Sequence, residues 1–275
     1  MAQKISELFP NSVLAANANT DTSNFDTKLS VADTTVQAAL ETLDAHVGVA
    51  LKGFYDVTGS AGSDQDIAVP AGSTSFKFRG VAAGGGGGGV GAFYDKGGGG
   101  GAGEYGEGYL LGLTGVTHVR INLGTGGVKA AATNQRGGTG GDTVISKVIA
   151  ATPTLLATLK GGTGGASGDD YGVAGPGGTG GTVPINSFLV DGPNGNDGRN
   201  SGTTVNHHYY LGNGGNSKLG SGGKSGSDRI GAGAGTGDVA TVGKYGGGGA
   251  GGIYDTVVFD PSAAGDGRVI LEFFG

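Results

Sequence analysis

The sequence contains no cysteine, which excludes disulfides, cysteine-ligated zinc, iron–sulfur clusters and thiol nucleophiles. No stretch approaches the roughly 18 uninterrupted apolar residues of a membrane-spanning helix, and residues 1–11 lack the basic and apolar regions of a signal peptide. The 17 basic and 23 acidic residues are scattered singly, so no basic run is present that would neutralise a series of phosphates. These absences predict a soluble protein that has no recognisable export signal, spans no membrane and binds no nucleic acid.

Glycine is the residue that the chain has in excess. It contributes 66 of 275 residues, whereas proline contributes only 7. Glycine has no side chain to bury and loses more backbone entropy on folding than any other residue, so a folded glycine-rich region depends on backbone hydrogen bonds. Hydrophobic residues still make up 36% of the chain and cluster in short runs such as Val119–Leu123, a pattern typical of buried strands and not of disordered linkers.

The first 48 residues have a different pattern from the rest. Residues 1–28 are polar and carry an apolar patch, which we interpret as a docking arm. Residues 29–48 have apolar side chains at heptad-like spacing after a capping signal at Ser30, which predicts a short helix that packs against the fold or against copies of itself. The predicted docking residues are Ile5, Leu8 and Phe9, and the predicted oligomerisation residues are Leu29, Val36, Leu40, Leu43 and Val47.

The remainder alternates between β-forming segments and glycine runs. We interpret residues 49–80 as a small β linker and residues 81–275 as a glycine-rich domain. The sequence Gly-Gly-Thr-Gly-Gly occurs three times, beginning at Gly137, Gly161 and Gly177, so the domain repeats one local structure imperfectly. The predicted strands are Gly53–Val57, Ile67–Val69, Ser73–Phe78, Tyr109–Leu113, Val116–Leu123, Val144–Ala150, Leu155–Leu159, Val183–Val190, Ile253–Phe259 and Arg268–Phe274.

A glycine run is usually a flexible coil. Here the runs are numerous, similar in length and interleaved with strands, which favours one compact unit. Glycine can adopt the extended helix of three residues per turn, and bundles of such helices approach closely enough to hydrogen-bond through their backbones. We therefore predict a mainly β fold with polyglycine II helices, a short N-terminal α-helix or coiled-coil stalk, and few other helices.

Recognition chemistry in such a fold must lie in the segments that connect the glycine runs, because the runs present almost no side chains. Aromatic and polar residues are concentrated in these connections, and stacking on sugars or on exposed aromatic groups suits them. The candidate binding residues are Phe93, Tyr94, Asp170, Tyr171, His207, His208, Tyr209 and Tyr210.

The chain contains no pattern that indicates catalysis. A Gly-x-Ser-x-Gly elbow is absent, and Gly223-Lys224-Ser225 lacks the earlier glycine of a phosphate-binding loop. Asp142 fits one copy of a calcium-binding nonapeptide, and adjacent histidines at 207 and 208 point to opposite sides of a strand. Ion binding at either place stays an open alternative to a turn aspartate and loop packing. We expect no enzyme activity, no catalytic residues, no cofactor and no metal.

Three blocks of sequence resemble a known family. They are SFKFRGVAA with the glycine run that follows from Ser75, the block from Gly100 to Gly127, and the closing GGGGAGG with the terminal strand DGRVILEFFG. They resemble the glycine-rich domain of bacteriophage tail and tail-fibre proteins. The lead-in from Phe25 to Val47 is similar to a recurrent phage-fibre stalk sequence.

The resemblance implies a polyglycine sandwich at a fibre tip, with variable loops that bind a bacterial surface receptor, either an outer-membrane protein or a glycan. It implies localisation in the virion, contact with other tail or fibre proteins through the N-terminus, and a homo-oligomer, with a trimer favoured. This chain departs from the pattern by carrying its own stalk. A non-adhesive fibre, collar or head decoration protein is the first alternative function, and a polyglycine ice-binding or matrix protein is the second.

Overall fold

The computed structural model describes residues 50–59, 61–89, 97–131, 135–167, 189–191, 208–209, 212–224, 228–229, 241–254 and 258–275. The chain divides into two units after Ala50, and the described residues beyond Ala50 belong to the second unit, Leu51–Gly275. The described residues form an all-β structure without a helix. The predicted docking arm at residues 1–28 and the predicted helix at residues 29–48 lie outside the described residues.

No helix in the described part of the chain is long and apolar enough to cross a membrane. The described residues contain thirteen strands, which form two larger antiparallel sheets and two short two-stranded ones. The strands are β1 (Leu51–Val57), β2 (Asp64–Ala68), β3 (Ser75–Val81), β4 (Tyr105–Leu111), β5 (Val116–Asn122), β6 (Thr143–Ile149), β7 (Thr152–Leu159), β8 (Leu189–Asp191), β9 (His208–Tyr209), β10 (Asp228–Arg229), β11 (Ile253–Tyr254), β12 (Val258–Phe259) and β13 (Arg268–Phe274). The five-stranded sheet has the order β1-β13-β3-β4-β8, and the four-stranded sheet has the order β2-β5-β6-β7. β9 pairs with β10, and β11 pairs with β12.

The two larger sheets share one hydrophobic core. Alternation along β3 puts Phe76 and Phe78 on the same face, as the two-residue period of a strand requires. Phe76 and Phe273 are fully buried, with ring centroids 5.5 Å apart. Val119 and Ile121 of the four-stranded sheet are also fully buried. Burial of one such side chain stabilises the folded state by about 1.5–3 kcal/mol.

Most strands predicted in the described part of the sequence are confirmed, with boundaries that differ by up to three residues. The prediction of one strand over Ile253–Phe259 is wrong, because β11 and β12 are two short strands that pair antiparallel with each other. One further boundary is shifted by more. The predicted strand Tyr109–Leu113 is instead β4, which begins at Tyr105 and ends at Leu111. The first four residues of β4, Tyr-Gly-Glu-Gly, have a local pattern that is typical of a loop between strands. It is a strand because Gly106 and Gly108 pair with Gly80 and Phe78 of β3, and this long-range pairing overrides local propensity. Residues 51–80, within the segment interpreted as a linker, contribute β1, β2 and most of β3 to the two sheets.

Ten extended runs of the described residues, most of them rich in glycine, hydrogen-bond to one another through their backbones. We number them in chain order. They are run I (82–89), run II (97–104), run III (124–131), run IV (135–142), run V (160–166), run VI (212–217), run VII (221–224), run VIII (241–244), run IX (247–252) and run X (260–267).

Run I is hydrogen-bonded to six other runs with a period of three residues. Its successive amides from Gly84 donate in turn to runs X, II and IV, and the cycle then repeats from Gly87 to Gly89. Its carbonyls from Ala83 accept in turn from runs V, III and IX, and that cycle repeats from Gly86 to Gly88. These bonds measure 2.8–3.1 Å between nitrogen and oxygen. Every backbone group of residues 84–88 is therefore satisfied by another run, as burial of a peptide chain requires.

The six neighbours of run I are also bonded to one another and close a ring. In order around run I they are runs IV, III, X, IX, II and V, and each adjacent pair is joined by backbone hydrogen bonds. Examples are Gly138 to Val128 at 2.8 Å between runs IV and III, and Gly137 to Gly165 at 2.9 Å between runs IV and V. We call this assembly of run I and its ring the glycine lattice.

A two-residue turn between β6 and β7 carries backbone strain. Ala150 and Ala151 have φ angles of 47° and 66°, the left-handed region in which a Cβ is disfavoured. Two-residue hairpins need positive φ at both positions, which is why Asn-Gly is the preferred sequence there. The hairpin imposes this conformation on alanine because β6 and β7 pair from Ile149 and Thr152 onward.

We predict that the double variant A150N/A151G stabilises the protein by about 1 kcal/mol, because it relieves this strain. For a unit of this size the unfolding midpoint should rise by about 2–4 °C in a thermal melt. The matched control is A131G, an exposed alanine for which no positive φ is recorded, which should not stabilise. An unchanged or lower midpoint for the double variant would contradict the prediction.

Two arginine–aspartate pairs hold the outer strands of the sheets. Arg268 of β13 donates to Asp56 of β1 at 2.8 and 2.6 Å, and Arg120 of β5 donates to Asp66 of β2 at 2.7 and 2.8 Å. These hydrogen bonds lower the pKa of both carboxyl groups below the ordinary value. The Arg268 guanidinium also lies 4.6 Å from the ring centroid of Tyr245.

The lowered pKa of Asp56 predicts a loss of stability in acid. An aspartate in the unfolded chain has a pKa near 3.9, so the pair stabilises the fold fully above about pH 5 and progressively less as the pH falls through the lower folded pKa. The variant D56N should lower the free energy of unfolding by up to about 1 kcal/mol at neutral pH, since the pair is partly exposed to solvent. Melts of both proteins should converge toward pH 3. D260N, in the exposed Lys129–Asp260 pair, is the control and should change little.

Candidate functional site

The glycine lattice brings together the described flanks of several segments that hold candidate binding residues. Gly89 donates to Gln135 at 2.9 Å, which joins the flanks of residues 90–96 and 132–134. Gly98 donates to Ala166 at 2.9 Å, next to the start of residues 168–188. Gly97 donates to Gly252 at 2.8 Å, and Gly251 to Gly212 at 2.8 Å, which adds the flanks of the β11–β12 pair and of residues 210–211. We call this part of the lattice the loop-bearing end.

The opposite end of the lattice is joined to the sheets. Run I follows β3 directly, run II leads into β4, run III follows β5, run IV leads into β6, run V follows β7, and run X leads into β13. Each of these runs therefore connects a strand of the common core to the loop-bearing end. The core thus lies at one end of the lattice, and the flanks of the connecting segments lie at the other. In such an arrangement the connecting segments can vary in sequence while the scaffold stays constant.

Most candidate binding residues lie outside the described residues. These are Phe93, Tyr94, Asp170, Tyr171, His207 and Tyr210. His208 and Tyr209 form β9, whose backbone pairs with β10 through His208 opposite Arg229 and Tyr209 opposite Asp228. The structure therefore brings the segment that carries the histidine pair next to residues 228–229, a pairing that no pattern in the sequence indicates.

Only glycine fits at residues 84–88, the enclosed part of run I. A Cβ added at Gly85 would meet the carbonyl of Thr163, and one added at Gly86 would meet the carbonyl of Val128. Both obstacles are backbone atoms of hydrogen-bonded runs, so neither can rotate away as a side chain can. The consecutive glycines of this segment are thus required by the approach of neighbouring runs.

Runs on the outside of the lattice carry one outward side chain every third residue. In run IV, Gly137 and Gly140 donate to run V, Gly138 and Gly141 donate to run III, and the position between them is free to carry Thr139, which is exposed. Run V repeats this with the partly exposed Thr163. The repeat Gly-Gly-Thr-Gly-Gly is therefore the sequence signature of a surface run. Its third copy, from Gly177, lies outside the described residues.

Polar side chains close the boundary between the lattice and the sheets. Glu104, at the end of run II, is fully buried, and its Oε2 accepts a 2.7 Å hydrogen bond from the backbone N–H of Lys160. Thr143 is also fully buried, and its Oγ1 accepts from the N–H of Gly124 at 3.0 Å. These side chains satisfy backbone groups where the three-residue period gives way to strand pairing. No local pattern in the sequence marks either residue, because the pairing they serve is long-range.

Tyr105 lies at the same boundary and is almost completely buried. Burial raises the pKa of its hydroxyl, and the nearby charge of Glu107 adds to the effect. The hydroxyl donates to Glu107 Oε2 at 3.2 Å, and Lys218 Nζ lies 4.3 Å from the ring centroid. These contacts anchor the turn between runs VI and VII to β4.

Asp142 is engaged in an ion pair within the lattice. Its carboxylate accepts from Lys160 Nζ at 2.6 Å and from the N–H of Gly161 at 3.0 Å. These contacts join the end of run IV to the start of run V. Within the described ranges, no three potential metal-ligating side chains come together. The alternative of an ion at His207 and His208 falls largely outside those ranges.

Comparison with known proteins identifies one family. The model of a family described as glycine-rich domain matches residues 59–274, which covers β2, all of the described runs and β13. A search of curated proteins finds none that matches the chain.

We predict that the variant G86A destabilises the protein by more than about 3 kcal/mol, or prevents folding, because its Cβ would displace hydrogen-bonded backbone. The matched control is G138A, where the nearest atom to the added Cβ is a side-chain methyl of the exposed Val128 at 2.9 Å, followed by the Val128 backbone nitrogen at 3.1 Å. The methyl can rotate and the nitrogen need shift by only a few tenths of an ångström, so we expect a smaller loss of about 1 kcal/mol. Soluble yield and thermal unfolding of both variants provide the measurement. Equal losses would contradict the role assigned to run I.

Proposed function

We propose that this chain, which belongs to the glycine-rich domain family, is a virion structural protein that acts as a bacteriophage tail-fibre adhesin. In this proposal it attaches the particle to a receptor on the bacterial surface, either an outer-membrane protein or a glycan. The observation that carries the proposal is the convergence of segment flanks at the loop-bearing end, because those segments hold the aromatic and polar residues predicted to bind.

The runs of the lattice are, in this proposal, polyglycine II helices. That conformation completes a turn in three residues and rises 3.1 Å per residue. The three-residue cycle of hydrogen bonds along run I supports this conformation, since every third amide donates to the same neighbouring run. An eight-residue run would then extend by about 25 Å, enough to hold the loop-bearing end well clear of the core.

A lattice of this kind suits adhesion for a physical reason. Its stability depends on backbone bonds and on the core below it, so substitutions in the connecting segments leave the scaffold intact. Stacking of tyrosine and histidine side chains on sugar rings or aromatic groups would provide the individual contacts. Many copies on one particle would convert weak contacts into strong attachment.

The N-terminal residues complete the proposal. Ile5, Leu8 and Phe9 would dock the chain on other tail or fibre proteins. Residues 29–48 would associate with the same residues of other copies, and a trimer is favoured. The chain would then be a part of the virion made in the host cytoplasm, with no enzyme activity and no cofactor.

Two other functions use the same lattice differently. In a collar, head decoration or non-adhesive fibre protein the lattice would serve only as a spacer. An ice-binding protein would need a regular threonine face, and the outward positions of runs III to V instead mix threonine with Val128, Arg136, Asp142 and Lys160. This mixture disfavours ice binding.

Substitution of His207, His208, Tyr209 and Tyr210 together by alanine tests the adhesive function. We expect particles with this variant to adsorb to host cells at least about tenfold more slowly, the effect of losing roughly 1.4 kcal/mol of contact. The control variant T139A/T163A removes outward side chains from runs IV and V and should adsorb normally. Equal incorporation of both variants into particles must be established first. Unchanged adsorption of the first variant would remove the adhesive role from these residues.

A further inference from the structure

Strand β1 is an unpaired edge of the five-stranded sheet. It pairs with β13 on one side, and no strand of the described residues lies on the other. The side chains of Leu51 and Phe54 are 57% and 55% exposed. A long edge strand with exposed apolar side chains is a template for pairing with another chain, because its outer N–H and C=O groups have no ladder partner.

Two other edges of the larger sheets, β2 and β7, carry features that oppose such pairing. β2 is short and has the like charges Asp64 and Asp66 among its five residues, and β7 has Pro153. Charges, proline and short length are the usual protections of an edge strand. β1 has seven residues, no proline and two charges of opposite sign, and its pairing with β13 is regular from Gly53 to Val57 after a bulge at Lys52.

The sequence of β1 is complementary to itself in the antiparallel direction. In a pair centred on Phe54, Lys52 lies opposite Asp56 of the second copy, whose carboxylate also accepts from Arg268 of its own chain, and the same contact recurs by symmetry. Gly53 then lies opposite Tyr55 of the second copy, on a face where Tyr55 and Pro70 of the same chain already cover the glycine. The two Phe54 rings face each other across the symmetry axis, and such cross-strand aromatic pairs stabilise a sheet.

We propose that β1 pairs antiparallel with β1 of a second copy of this chain, centred on Phe54, to form one continuous sheet across two copies. The occupant is a second copy because opposite charges meet only in this self-pairing register. The contact is two-fold and separate from any association of residues 29–48. It does not depend on the adhesive function, so failure of one proposal leaves the other standing.

A single cysteine tests this pairing cleanly, because the chain has none of its own. Residues directly opposite in an antiparallel pair have Cα atoms about 4.5–5.5 Å apart, within the range that a disulfide spans. Under mild oxidation, full-length F54C should form disulfide-linked dimers at least about tenfold faster than the control L111C. A tenfold difference corresponds to about 1.4 kcal/mol of free energy in favour of the paired arrangement. Leu111 is 73% exposed on β4 of the same sheet but lies away from β1.

The charge contact provides a second measurement that does not depend on disulfide geometry. K52E places a glutamate opposite Asp56 of the second copy, so dimers of the full chain should dissociate at higher protein concentration than those of K52A. Equal cross-linking of F54C and L111C, together with equal dissociation of K52E and K52A, would overturn the pairing. That result includes the case in which another protein or another part of the chain covers β1.

Discussion

The structure depends on the requirement that a buried backbone without side chains must satisfy its amides and carbonyls with other backbone. Run I meets this requirement through six neighbours, three that accept from its amides and three that donate to its carbonyls. A peptide group left unpaired inside the protein costs about 1–3 kcal/mol, so a run with even one missing neighbour would be a poor interior segment. The runs of the lattice therefore depend on one another. The ring around run I is closed because each of its amides and carbonyls needs a partner.

Close approach of the runs explains the composition. Hydrogen bonding on all sides brings each interior run so near its neighbours that a Cβ at Gly84 or Gly87 would overlap a carbonyl. Run IV has hydrogen-bonded neighbours in runs I, III and V, and every third position faces away from them and carries a side chain, as at Thr139. The enclosed part of run I is thus unbroken glycine, and the outer runs IV and V have paired glycines separated by another residue. The hydrophobic core and the buried polar side chains Glu104 and Thr143 then terminate the lattice where strands begin.

This division of labour bears on function. The core of Phe76, Phe273, Val119 and Ile121 stabilises the sheets, and the lattice extends from them without using side chains. The proposed adhesive residues belong to the connections between runs, because connecting segments commonly carry recognition while the scaffold is conserved in structure. Among the described strands, β1 is an edge with a strand partner on one side only, and it lies in the sheets and not at the loop-bearing end.

The amino-acid sequence by itself determined where most of the longer strands lie, because alternation such as Phe76 and Phe78 in β3 is a local signal. It also determined that folded glycine runs have to pair through backbone, whereas recognition in the segments between them stays a prediction. Only the tertiary structure decided which run is enclosed, that β4 begins at Tyr105, and that the flanks at Gly89, Gln135 and Ala166 meet at one end. A glycine run has no side chains that specify its partner, so its neighbours are selected by long-range hydrogen bonds that no local pattern records.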